Sequence, residues 1–93
     1  MRTIEYSTQF KRDYKHVKKN PQHRDLDSLI LPVIEKLQAD VVLPERNSDH
    51  PLSGSLKGYR DCHLKPDLLI IYSKPNPGIL RLARLGSHSE LFE

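Results

Sequence analysis

The sequence predicts an α+β fold, a small and mostly antiparallel sheet with two N-terminal helices packed on one face. Three observations predict it. Apolar residues recur at helical spacing between Phe10 and Leu37, and three short runs of strand character follow between Tyr59 and Leu85. The turns joining those runs are too short for anything but hairpins, so the strands lie antiparallel beside helices that come earlier in the chain.

The elements follow in order. Arg2 to Tyr6 alternates weakly and ends at Ser7-Thr8, a pair suited to capping a helix. Phe10, Tyr14 and Val17 then form one apolar stripe, with Lys11, Arg12, Lys15, Lys18 and Lys19 expected on the opposite side and Asn20-Pro21 as the stop. Leu26, Leu29, Ile30, Val33, Ile34 and Leu37 keep helical phase from about Asp25 to Asp40. Pro32 lies inside that stretch and removes a backbone donor, which predicts a kinked helix.

Val42 to Lys57 reads as a long polar loop punctuated by Pro44, Pro51 and Gly54. Strands are expected over Tyr59 to Leu64, Leu68 to Ser73 and Ile79 to Leu85, the last two joined by the Pro75-Asn76-Pro77-Gly78 turn. The tail from Ser87 to Phe92 forms one capped helical turn folded back over the sheet. Asp61 and His63 suit a sheet face left open by the helices, near the loop carrying His50 and the tail carrying His88.

Composition sets bounds. Ninety-three residues suit a single domain, 1–93, with one core. The longest uninterrupted apolar run, Leu68 to Tyr72, is far too short to cross a bilayer, and the start lacks the apolar stretch of a secretory signal. With Cys62 as the lone cysteine, no internal disulfide is possible and a reducing cytoplasm is the expected compartment. The net charge of +3 suits an anionic partner and suits a solvated surface equally well.

His50, His63 and His88 carry the chemistry. Histidine titrates near neutrality, so two imidazoles divide the work of general base and general acid. Cleaving RNA without a metal or other cofactor needs such a pair, plus cations to steady the phosphorane-like charge. Arg60, Lys57, Arg81 and Arg84 are the candidate cations. Asp61 sits two residues from His63, roughly 6.5 to 7 Å along a strand, and either it or Asp67 is placed to orient an imidazole and favour its charged form. The His50, His63, Asp67, His88 spacing matches no short metal-ligand pattern, so no metal is expected. Cys62 alternates away from His63 and reads as a small core residue. Phe92 reads either as a base-stacking ring or as an anchor pinning the tail.

The run DHPLSGSLKGYRDCHLKPDLLIIY, followed by RLGSHSELF and preceded by YSTQFKRDYK, resembles the YafQ-type branch of the RelE/ParE superfamily of bacterial toxins over essentially the whole chain. That resemblance implies a RelE-like, microbial ribonuclease-like fold and an endonuclease that cuts messenger RNA in the ribosomal A site. It implies a cognate antitoxin as partner, with the pair binding operator DNA through the antitoxin. The family's His-Pro-Leu histidine falls on His50, its strand histidine on His63 and its C-terminal histidine on His88. Its acids fall on Asp61 and Asp67 and its terminal aromatic on Phe92.

On that footing His50 and His63 are base and acid in an unassigned order, and His88 stabilises the phosphate. Asp67 orients a histidine or moves a proton, while Asp61, Arg60 and Phe92 support or position the substrate. Lys11, Lys15, Lys18 and Lys19 would grip 16S ribosomal RNA. Leu68 stands where the family often has tryptophan. The rival readings are a ParE-like gyrase inhibitor without enzymatic activity and a decayed toxin that keeps only antitoxin binding.

Overall fold

A computed structural model describes residues 1–92. Along the chain come β1 (Thr3–Tyr6), α1 (Thr8–Lys19), α2 (Leu26–Gln38), β2 (His50–Pro51), β3 (Arg60–Lys65), β4 (Leu68–Ser73), β5 (Ile79–Gly86) and α3 (His88–Phe92). The five strands form one sheet in the order β1-β5-β4-β3-β2, with β1 parallel to β5 and the remaining pairs antiparallel. The expected α+β architecture is present.

Sequence explains the layers. The Leu68–Ser73 run is buried along its whole length because β4 is the central strand and is covered on both faces. On one face Cys62, Leu68, Ile70, Tyr72, Leu80 and Leu82 meet the apolar stripes of α1 and α2 in a continuous core. Ser7 starts α1 by accepting a hydrogen bond from the Phe10 N–H at 2.9 Å, and its hydroxyl donates to the Ala83 carbonyl at 2.7 Å, tying the helix start to β5. Where β1 ends, Asp13 takes over the edge of β5. Its carboxylate accepts from the Leu85 N–H at 3.0 Å and from Arg84 Nε at 2.8 Å.

Helix α2 runs through Pro32 as one helix in phase with its apolar stripe, and both Pro32 and Ser28, whose carbonyl loses its usual donor, face solvent. Two expectations change. His50 is not in a loop but in β2, opposite Asp61 on β3. A two-residue strand containing a proline has no alternating pattern to read, which is why it was hidden. The second face of the sheet is not open either: Leu69 and Ile71, which alternate away from the helix-side core, are 0% and 2% exposed. The tail behaves as expected, with a reciprocal cap in which Ser87 N–H donates to Glu90 Oε1 at 3.0 Å and Glu90 N–H donates to Ser87 Oγ at 3.3 Å.

Candidate active site

Cross-strand pairing builds the site. His50 faces Asp61, Asp61 faces Ile71, and His63 faces Leu69, so these side chains share the sheet face turned away from α1 and α2. His88 enters from the start of α3. Its ring centroid lies 5.7 Å from that of His63 and 5.5 Å from that of Phe92, giving a tilted row of three rings.

His50 and His63 are held through Nδ1, and His88 through its backbone N–H. In His50, Nδ1 lies 2.7 Å from the Ser48 carbonyl and 3.1 Å from Asp61 Oδ1. The better-aligned acceptor is the carbonyl, which leaves Asp61 Oδ1 buried with no hydrogen-bond donor among the described residues. In His63, Nδ1 lies 3.2 Å from the Pro66 carbonyl. In His88, Nδ1 lies 3.5 Å from Asp67 Oδ1, and the same oxygen accepts the His88 backbone N–H at 3.0 Å. A carbonyl only accepts, so Nδ1 of His50 and His63 carries the proton in the neutral ring and Nε2 carries the lone pair. The hydrogen positions follow from this network of acceptors. Nε2 is thus the nitrogen available for proton transfer.

Asp61 is 2% exposed. Burial pushes its carboxyl above the usual carboxylate range, and the positive charge that His50, His63 and His88 carry when protonated pulls it back. A carboxylate placed there answers to all three rings. Of the two candidate acids, Asp61 faces His50 and Asp67 faces His88, while His63 leans on a backbone carbonyl instead.

Other candidates are engaged by groups outside the histidine row. Arg60 pairs across the sheet with Tyr72 on the helix-side face, and its Nε lies 3.2 Å from Asp49 Oδ1, so it stands apart from the histidine row. Arg81 is paired with Glu5 at 3.0 Å and Arg84 with Asp13. Burial pushes the Cys62 thiol up to about 12, so it stays protonated and inert in the core.

Such a histidine row on a small sheet is a fold-level hint, and comparison decides the lineage. A family model described as bacterial toxin of type II toxin-antitoxin system, YafQ, matches residues 2–93. The chain belongs to this YafQ family. It is 42% identical to the mRNA interferase toxin YafQ of Escherichia coli K12 over 91 residues, covering 98% of this chain and 96% of that one. Its fold is similar to the toxin in the crystal structure of the E. coli DinJ-YafQ toxin-antitoxin complex, with TM-score 0.85, 40% identity and coverage of 99% of this chain and 98% of that chain. A metal-bound toxin from Helicobacter pylori is 48% identical with TM-score 0.88, covering 99% of this chain and all of the other.

In this YafQ toxin the lysines of α1 are not one uniform stripe. Lys18 is paired with Asp27 and lies over the Tyr14 ring, its Nζ 5.6 Å from the centroid. Lys11 and Lys15 rim a groove of about 490 Å³ between α1 and α2, with Phe10, Ile30 and Ile34 among its walls. That places them beside apolar surface rather than opposite it, while Lys19 is exposed. Asp49, which no sequence pattern marks, is a hub: it accepts from both Arg60 and Tyr72. The available signal was its position next to His50 in an extended segment, where it must point to the opposite face.

Proposed function

We propose that this YafQ-family toxin is an mRNA interferase that cuts messenger RNA in the ribosomal A site without a metal. The observation that carries this reading is the presentation of Nε2 by His50 and His63 on one sheet face, each ring pinned through Nδ1. Paired imidazoles of this kind serve as base and acid for attack of a ribose 2′-hydroxyl on the adjacent phosphate. One Nε2 takes the 2′-hydroxyl proton as the 2′-oxygen bonds to phosphorus. The other Nε2 donates a proton to the departing 5′-oxygen, leaving a 2′,3′-cyclic phosphate and a 5′-hydroxyl end. His88, held by Asp67, steadies the phosphate, and Phe92 next to it stacks on a base. Asp61 lies 3.1 Å from His50 Nδ1, so an ionised carboxylate there sits beside the ring as it exchanges its proton.

Lys11, Lys15 and Lys19 bind ribosomal RNA by neutralising phosphates, with Lys18 contributing less because Asp27 already holds it. The partner is a cognate antitoxin, as the E. coli YafQ structure with DinJ supports, and the complex binds operator DNA through that antitoxin. The toxin acts in the cytoplasm. Induction in a bacterial host tests the reading: translation should stop within minutes, and co-expression of the antitoxin should restore it. Continued protein synthesis at full toxin levels would count against it. The metal-bound H. pylori toxin makes EDTA a necessary arm in the cleavage assay.

A further inference from the structure

Asp49 has no place on the histidine face, yet it immediately precedes His50. Successive side chains of an extended segment point to opposite faces, so His50 reaches the candidate active site while Asp49 reaches the helix side. There its Oδ1 accepts the Tyr72 hydroxyl at 2.6 Å and Arg60 Nε at 3.2 Å. Arg60 and Tyr72 are cross-strand partners on β3 and β4, so one carboxylate oxygen is gripped from two strands of the sheet. Tyr72 is among the most deeply buried side chains. Burial and the hydrogen bond to Asp49 raise the phenol above its ordinary value, so it remains a donor wherever histidine titrates.

The backbone holds this segment weakly. Strand β2 is two residues long and one of them, Pro51, has no N–H to donate. Ser48, just before Asp49, sits in the left-handed region at φ 45°, which aims its carbonyl at His50 Nδ1. His63 needs no such help, because it sits inside the six-residue strand β3 between β2 and β4.

We propose that Asp49 is a positioning residue for His50: clamped by Tyr72 and Arg60 on the far face of the sheet, it fixes the Ser48–His50 segment so that Nδ1 stays bonded to the Ser48 carbonyl and Nε2 faces the substrate. This rests on the reading of His50 as a proton-transfer residue.

The test uses ¹⁵N-labelled full-length toxin and long-range ¹H–¹⁵N spectra, which report the tautomer of each imidazole separately. In wild type His50 is the Nδ1–H tautomer. Tyr72→Phe and Asp49→Ala should convert it to a mixture of tautomers, with His63 and His88 unchanged. Asp49→Asn should restore the wild-type spectrum in part, because its amide oxygen still accepts from Tyr72. On programmed ribosomes Tyr72→Phe should lower kcat by about 10- to 100-fold and leave KM unchanged, the signature of a misplaced reactive group. His50 signals identical to wild type in Tyr72→Phe, which removes only one oxygen, would overturn the proposal even if Asp49→Ala fails to fold. A wild-type protein that cuts no RNA would defeat the nuclease reading instead, and the spectra would still decide the clamp.

Discussion

His50 and Asp61 face each other across β2 and β3, the exposed imidazole 3.1 Å from a carboxylate that is almost wholly buried. Folding places an acid where it is costly to ionise and useful to the ring beside it. Asp61→Asn separates the two effects. The variant should cleave about 10- to 100-fold more slowly, because the site loses the carboxylate charge 3.1 Å from the His50 ring. It should also be more stable at pH 7. A carboxyl raised by burial favours the fold when protonated and loses that contribution as pH rises through its folded value. The stability difference between Asp61→Asn and wild type should therefore shrink as pH falls through that raised folded value and be smallest below about pH 4, where the unfolded aspartate is protonated as well. Thermal unfolding checks this, each kcal/mol gained appearing as about 4 to 8 °C in Tm.

Asp13 shows the opposite sign. Burial opposes its charge, but the Arg84 hydrogen bond and the Leu85 N–H outweigh burial and hold its carboxyl below the usual range. Its stabilising contribution is complete above the unfolded aspartate value and fades as pH falls toward the lower folded value. Asp13→Ala leaves a buried N–H and a half-buried guanidinium without their partner, which should cost about 2 to 4 kcal/mol in urea unfolding at pH 7. An unchanged midpoint would mean that the edge of β5 is satisfied some other way.

Asp67 tests whether the tail is part of the site. Its side chain is 69% exposed, so replacing it should change global stability by less than about 1 kcal/mol. Asp67→Ala nevertheless removes the acceptor for the His88 N–H and the neighbour of Nδ1. Amide exchange in His88–Phe92 should accelerate while β4 stays protected, and cleavage should fall together with tail order.

The lysines of α1 should differ among themselves. Replacing Lys11, Lys15 or Lys19 by alanine should flatten the salt dependence of ribosome binding by about one unit of slope each. Lys18→Ala should flatten it less, since Asp27 already neutralises that charge. Equal effects at all four positions would show that the ion pair opens on the ribosome.

Much of the fold was legible because its signals are periodic. The α1 and α2 stripes, the buried Leu68–Ser73 run and the Ser7 and Ser87 caps each state their structure locally. The same alternation that put Asp61 and His63 on one face also put Cys62 in the core. What escaped was non-local. Nothing near His50 announces a strand, because its partner Asp61 lies beyond a loop and two glycines. Arg60 reads from the sequence as a cation for the site, yet its own alternation from Asp61 sends it to the helix side. Pairings such as Arg84 with Asp13 or Asp49 with Tyr72 join residues whose closeness depends on the finished sheet.

The histidine site is tested most directly by primer extension on a defined mRNA with programmed ribosomes, comparing wild type, His50→Ala and His63→Ala, with and without EDTA in a matched ribosome-free reaction. Wild type should cleave only when ribosomes are present, leaving 2′,3′-cyclic phosphate ends, and each histidine variant should lose at least about 100-fold. Full cleavage by His63→Ala would contradict the assignment of the site. No cleavage by wild type under any condition would contradict the nuclease itself.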